Sequence, residues 1–247
     1  MRYLVMTDIH SNLEAMEACV AGAGSRGFDR LLVLGDLVGY CADPNGVVER
    51  VQALAPAAIV RGNHDKVACG LEQADGFNAV ARRAAHWTHD MLTPANRAWL
   101  AALPRGPVVV DELVEICHGS PFDEDAYIFD ELDAVRALKT SQRPICLFGH
   151  THWPVTFALS EGRVETVGAS EASPDHLTLQ PDTKYLINPG SVGQPRDGDP
   201  RAAYGIVDTV ARTVSLFRVD YPVETTQAKV IKAGLPDVLA QRLGVGR

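Results

Sequence analysis

The chain lacks the cysteine pattern of either a disulfide scaffold or a thiolate metal site. Its five cysteines, Cys19, Cys41, Cys69, Cys117 and Cys146, are odd in number and scattered, with no CxxC pair among them. They read as core residues in a reducing compartment. Positive charge is also in short supply. With 23 Lys and Arg against 31 Asp and Glu, the formal net charge is −8, which argues against a broad surface for long nucleic acid. A small phosphate-bearing substrate drawn in by bound cations remains compatible with that balance. The N-terminus passes from Met1-Arg2-Tyr3-Leu4-Val5-Met6 straight to Asp8, too short and too soon polar for a signal peptide or a membrane span. No membrane association and a cytoplasmic location are therefore expected. Internal repeats and low-complexity tracts are absent as well.

What remains is an ordinary globular composition with an unusual arrangement. The 247 residues, 46% apolar and 22% charged, suit a single domain over residues 1–247, and a second small lobe is not required. Short apolar runs repeatedly end in a glycine or a polar turn. Residues 2–6 read as a first strand, followed by Thr7-Asp8-Ile9-His10-Ser11-Asn12 and a helix from Leu13 to about Ala23. Leu31 to Leu34 reads as a second strand running into Gly35-Asp36. Pro44 then suits the first turn of a helix with Val47, Val48, Val51 and Leu54 on one side. Ala57 to Val60 reads as a third strand, leading into a loop with Gly62-Asn63-His64-Asp65.

Residues 77–103 have a helical pattern, divided by Thr93-Pro94. His86 and His89 lie three apart within it, and with no third ligand nearby they read as surface or packing residues. Val108 to Val110 and Leu113 to Cys117 look like a hairpin that delivers His118-Gly119. After a short helix from Leu132 to Leu138, the strand Ile145 to Phe148 ends in Gly149-His150-Thr151-His152. Strand signals then dominate to Val219, so the second half of the sheet is expected to be mostly antiparallel. The polar segment 169–182, His176 included, reads as a surface loop. Residues from about 222 to 247 read as one or two C-terminal helices.

Each polar turn alone has a bland explanation, since Gly, Asn and Asp favour turns for local reasons. Together they matter. Residues two apart on an extended chain point the same way, roughly 7 Å apart, so Asp8 with His10, and His150 with His152, can each reach one pocket. If the strand-end loops meet at one sheet edge, carboxylates, imidazoles and an amide are crowded together, and crowded carboxylates raise one another's pKa unless cations intervene. Imidazole, carboxylate and amide oxygen without thiolate suit Mn²⁺, Fe or Zn²⁺, with members enough for two ions sharing one carboxylate.

Asp8-x-His10, Gly35-Asp36, Gly62-Asn63-His64-Asp65, His118-Gly119 and Gly149-His150-Thr151-His152 resemble the full motif set of the calcineurin-like metallophosphoesterases. The spacing is most similar to the small prokaryotic phosphodiesterases of that superfamily. The resemblance runs from Asp8 to His152 and on to the turn Asn188-Pro189-Gly190-Ser191. It implies an α/β fold of four layers, an αββα sandwich of two mixed β-sheets flanked by helices. It further implies two divalent transition-metal ions, Mn²⁺ foremost with Fe or Zn²⁺ as alternatives. Asp8, His10 and His152 are expected on one ion, Asn63, His118 and His150 on the other, and Asp36 on both. His64 is implied as the protonated donor to the leaving oxygen, with Asp65 holding its ring.

The reaction so implied is hydrolysis of a phosphoester by a metal-bridging hydroxide. Protein phosphatases of the superfamily are similar but carry an Arg soon after the Gly-Asp loop and Glu after Asn-His. Here those places hold Val38-Gly39-Tyr40 and Asp65. The expectation is therefore a phosphodiesterase acting on small, nucleotide-type substrates, with a phosphomonoesterase or a dinucleoside polyphosphate hydrolase as alternatives. Asn12, Tyr40 and Arg196 are candidate substrate contacts, Arg196 meeting either a phosphate or only Asp199. A metal-free scaffold of the same fold is the non-enzyme alternative, and the completeness of the ligand set weighs against it. A homo-oligomer is left open.

Overall fold

A computed structural model describes residues 1–168 and 175–247. Its strands form two six-stranded sheets. In spatial order, the first contains β3 (Ala58–Ile59), β2 (Arg30–Val33), β1 (Arg2–Met6), β11 (Ala202–Asp208), β12 (Thr213–Val219) and β9 (Asp175–Thr178). The second contains β4 (Val108–Val109), β5 (Val114–Ile116), β6 (Ile145–Leu147), β10 (Lys184–Asn188), β7 (Val155–Ser160) and β8 (Arg163–Val167). Both sheets are mixed. β1, β2 and β3 run parallel, while β11, β12 and β9 pair antiparallel. Likewise β5, β6 and β10 run parallel, and β4, β7 and β8 pair antiparallel.

The period of two along each strand sorts side chains between layers. On β1, Tyr3 and Val5 face the second sheet, where they meet Val114, Ile116, Ile145, Leu147 and Ile187 in a core between the sheets. Leu4 and Met6 face outward, against Ala15, Met16, Cys19 and Ala23 of α1 (Leu13–Gly24) and the valines of α2 (Pro44–Leu54). The outer face of the second sheet packs through Cys146, Phe157 and Leu186 on Ala134, Ala137 and Leu138 of α6 (Glu131–Thr140). Helix, sheet, sheet and helix make the expected four layers.

After β3 come the helices α3 (Asn63–Cys69), α4 (Ala79–Met91) and α5 (Pro94–Ala101); α3 packs against α4 and α5, and these two against α2. The expected loop at Asn63 is thus the first turn of a helix, started because Asp65 accepts the Gly62 amide at 2.9 Å. His86 is exposed, and His89 Nδ1 donates to the Ala68 carbonyl at 2.9 Å, so neither joins a metal site. Two C-terminal helices, α7 (Val223–Lys232) and α8 (Asp237–Leu243), pack on Tyr40, Ala81 and Ala84. Among the described residues no helix is long and apolar enough to cross a membrane.

One expectation is corrected. Part of the predicted surface loop 169–182 is the edge strand β9, in register with β12 through Thr178↔Thr213 and Leu177↔Val214. His176 and Thr178 face solvent, while Leu177 and Leu179, two apart, turn toward the core between the sheets. Residues 169–174 lie outside the described part of the chain.

Candidate metal centre

Parallel strands end at one edge, and the loops that leave them gather there. Asp8 and His10 follow β1, Asp36 follows β2, Asn63 and His64 follow β3, His118 follows β5, and His150 and His152 follow β6. Five of these adopt left-handed backbone conformations: Asp8 (φ 52°), His10 (49°), Asp36 (51°), His150 (70°) and His152 (61°). For non-glycine residues that costs about 1–2 kcal/mol apiece, and its concentration on the cluster is the kind of strain that functional sites carry. Close approach requires glycine in several of these loops, Gly62 and Gly149 among them. A Cβ at Gly62 would overlap Asp36 Oδ1, and one at Gly149 would overlap Thr7 Oγ1.

The resulting cluster is buried and dense. One ligand atom each from Asp8, His10, Asp36 and His152 lies within 4.8 Å of the others, and so do those of Asp36, His118 and His150. Asp36 belongs to both groups. Its Oδ2 is 3.6 Å from His10 Nε2 and 3.5 Å from His118 Nε2, while Asp8 Oδ1 is 3.4 Å from His152 Nε2. Asn63 Oδ1 sits 3.3 Å from His118 Nε2.

Backbone carbonyls decide what the imidazoles present to the centre. His10 Nδ1 faces the Val38 carbonyl at 3.1 Å, His118 Nδ1 that of Leu34 at 2.8 Å, His150 Nε2 that of Asp125 at 3.1 Å, and His152 Nδ1 that of Gln194 at 2.6 Å. A nitrogen facing a carbonyl carries the proton, so the opposite nitrogen of each neutral ring offers a lone pair. These lone-pair nitrogens face each other: His10 and His152 Nε2 are 3.0 Å apart, and His118 Nε2 is 3.1 Å from His150 Nδ1. Facing acceptors repel unless a proton or a cation stands between them. Together with two carboxylates and an amide oxygen they form a donor set for hard or borderline divalent cations, with orienting carbonyls behind each imidazole.

The proton affinities reflect that crowding. Burial lifts Asp8 to about 7, with His118 opposing and the Asp36 charge adding to the rise. Burial also pushes Asp36 upward, but His118 and His64 outweigh it and hold that carboxyl well below its usual range. For His118 burial works downward, and the Asp36 carboxylate overcomes it to carry the ring to about 10. Without a cation, His118 takes the compensating charge as a proton.

Several anticipated roles are corrected by position. Asp65 does not hold the His64 ring: its carboxylate accepts the Val38 and Gly62 amides at 3.1 and 2.9 Å. His64 Nδ1 is buried with no hydrogen-bond partner, and the ring packs among Tyr40, His10 and Phe77 at 4.4, 4.9 and 4.6 Å. Burial presses His64 down to about 4 against the pull of Asp36, so the ring is neutral near pH 7 rather than a standing imidazolium. Asn12 is no substrate contact. Its Oδ1 caps α1 at Ala15 N and accepts from Thr226, and its Nδ2 donates to Gly193 O and Tyr221 Oη, which uses its whole hydrogen-bonding capacity. Arg196 does not pair with Asp199, which is taken by Arg201. Instead Arg196 Nη2 reaches Tyr40 Oη at 3.4 Å and Gln194 Oε1 at 3.2 Å, while its Nε is buried without a partner.

Other supports come from residues outside the Asp/His motifs. Asn188 donates to the Gly149 carbonyl and Thr151 Oγ1 at 2.9 and 3.0 Å, and Ser191 donates to the Asp8 carbonyl at 2.8 Å. Their turn buttresses two ligand loops at once. Lys66, buried on α3, reaches Asp125 at 2.6 Å and Glu72 at 2.8 Å, and so fixes the segment whose carbonyl orients His150. Tyr127 of that segment stacks on His150 with ring centroids 3.9 Å apart.

A buried Asp/His cluster at the strand ends of two packed mixed sheets defines a metallophosphoesterase-type site. A family model described as the calcineurin-like phosphoesterase superfamily domain matches residues 1–212, and the chain belongs to that superfamily. It is 36% identical over 251 residues to uncharacterized protein MJ0912 of Methanocaldococcus jannaschii, covering 98% of this chain and 97% of the relative. To phosphodiesterase YfcE of Escherichia coli it is 26% identical over 217 residues, covering 84% and 88% of the two chains. The solved metallophosphoesterase of Sphaerobacter thermophilus is 38% identical, with a TM-score of 0.87 over 100% of this chain and 99% of that one. The protein is a metal-dependent hydrolase of the phosphoesterase class.

Proposed function

We propose that the protein hydrolyses phosphodiester bonds of small, nucleotide-type substrates with two divalent cations. In this reading Asp8, His10 and His152 hold one ion, Asn63, His118 and His150 the other, and Asp36 both. The observation that carries it is the facing of imidazole lone pairs across two buried carboxylates, an arrangement that cations satisfy. Cations bound there supply Lewis acidity, drawing charge off phosphoryl oxygens and lowering the pKa of water. Mn²⁺ is the expected ion in vitro, with Fe or Zn²⁺ also suited to the set.

The protein's own groups do the rest. The four carbonyls hold each ring in one tautomer, so the lone pairs need no reorganisation as charge develops. His64 is neutral before substrate arrives; the anionic substrate raises its proton affinity, so the ring takes up a proton from solvent, donates it as imidazolium to the leaving oxygen and returns to the neutral form. Tyr40 walls the site beside it. With Val38-Gly39-Tyr40 after Asp36, no arginine follows the second ligand loop to clamp a dianionic monoester, which favours diesters. Arg196 gives a second reading some support: its unpartnered Nε suits a second phosphate, as in a dinucleoside polyphosphate.

Metal analysis of the purified protein, combined with rates on a nitrophenyl diester, a nitrophenyl monoester and a nucleotide panel with added Mn²⁺, tests the proposal. Diester hydrolysis exceeding monoester hydrolysis is expected. A clear monoester preference overturns the diester assignment.

A further inference from the structure

Among the described residues, the large aromatic side chains that stay exposed are three, Tyr127, Phe129 and Trp153, at 49%, 65% and 52%. All three stand beside the cluster. Tyr127 lies on the His150 ring, and Phe129 lies parallel to Tyr127, 5.4 Å away and 5° from coplanar. Trp153 directly follows His152. Phe129 and Trp153 both line a cavity of about 330 Å³, together with Val155, Thr151, Glu131 and Thr166. Thr151 ties it to the metal centre, for it sits between His150 and His152. The walls are held in place. The Phe129 amide donates to Asp133 at 3.0 Å, and the Trp153 amide to Thr151 Oγ1 at 3.3 Å.

We infer that this cavity is a nucleobase subsite, taking the base of a substrate whose scissile phosphate lies on the cluster; it rests on the phosphodiesterase reading above. Two exposed aromatic side chains in the lining suit a flat ring, and the volume lies within the range of small-ligand sites. Glu131 sets the edge chemistry. Its Oε1 accepts the Thr166 hydroxyl at 2.5 Å, which leaves Oε2 for an N–H donor on the ligand. A carboxylate there favours bases with an exocyclic amine, namely adenine, cytosine or guanine, over uracil. A second copy of the chain is a poorer occupant. A two-fold interface would set Asp130 and Glu131 against their own counterparts on an already acidic protein.

Adenosine carries no phosphate and so probes the cavity without the metal centre. Titrated into the protein while tryptophan emission is followed, it should quench saturably, ribose should not, and Trp153→Phe should lose the signal. Phe129→Ala should weaken adenosine by about tenfold, within the usual span for a base–aromatic stack. With the Mn²⁺-loaded protein, the kcat/KM ratio of diadenosine monophosphate to the ring-free diester glycerophosphoglycerol should fall by a similar factor in Phe129→Ala. Absence of saturable quenching, or an unchanged ratio, overturns the inference. So does a change of mass in sedimentation on Phe129→Ala, which would assign the patch to a second copy. If the wild-type protein cleaves neither diester yet binds adenosine through Trp153, the phosphodiesterase reading falls and the subsite stands.

Discussion

The two walls of the metal cluster are built differently. On the His64 side, Tyr40, Phe77 and Arg196 close over a ring that is 5% exposed, and the C-terminal helices pack behind Tyr40. On the His150 side, Tyr127 and Phe129 stand half in solvent on a segment fastened by ion pairs from Lys66 to Asp125 and Glu124. Apolar packing makes the first wall rigid and dry, which suits a proton donor whose state must be controlled. Charge pairing and a few ring contacts make the second more open, which suits admission of substrate. The cluster between them is common to both, and mutations should separate its three parts.

The largest effect is expected at the shared carboxylate. Asp36→Asn should cut turnover by about 10³-fold or more, equivalent to about 4 kcal/mol of barrier, and should lower bound metal per chain in elemental analysis. If that variant keeps its metal and its rate, the two halves do not share Asp36. On the closed wall, His64→Ala should retain metal but lose about 10²-fold in kcat on alkyl diesters, the scale of general acid catalysis. The loss should be far smaller on nitrophenyl esters, whose leaving group needs no proton. Equal losses on both substrates would remove His64 from proton donation.

Acid should strip the metal from both walls alike. In the metal-free protein Asp8, at about 7, and His118, at about 10, hold protons that a cation must displace. Both pKa values are raised, so affinity rises with pH and is lost as pH falls. Above neutrality the slope should be about tenfold per unit, for the single proton on His118, and steeper below, where Asp8 joins it. Mn²⁺ titrations across that range, with proton release measured in two buffers, check the sign; a flat profile would contradict it. On the open wall, Lys66→Met should weaken metal affinity by about tenfold, as loss of a support behind a ligand does. It should leave the nitrophenyl-to-alkyl rate ratio that reports His64 where it was. A change in that ratio would show that the walls are coupled.

The residues of the Asp/His cluster were legible because strand-end chemistry is local. Apolar runs stop at Asp8, Asp36, Asn63, His118 and His150, and alternation along extended chain puts Asp8 with His10, and His150 with His152, on common sides. Errors arose where a side chain had a nearer partner than the site. Asn12 directly precedes the helical Leu13, a capping signal as strong as any in the chain, and that local role takes its side chain from the substrate. Asp65 follows Gly62 by three residues, the spacing that returns a carboxylate to a helix-start amide. Arg196 was weighed against Asp199 because they are close in sequence, whereas Arg201 holds that carboxylate. Strand β9 is hard to see in the sequence because an edge strand with one solvated face looks like a polar loop unless Leu177 and Leu179 are paired.

From the order of residues alone came the succession of apolar strands and polar turns that carries the Asp and His residues of the cluster, since hydrophobic periodicity and short motifs act over a few residues; the αββα layering and the phosphoesterase class came through the resemblance of those motifs. The tautomer of each imidazole depended on carbonyls at Leu34, Val38, Asp125 and Gln194, which lie between 25 and 84 positions away along the chain. The same holds for the aromatic wall at Tyr127, Phe129 and Trp153 and for the buttress at Asn188 and Ser191. Such contacts join segments that no local pattern connects, and only the packing of two sheets face to face brings them within bonding distance.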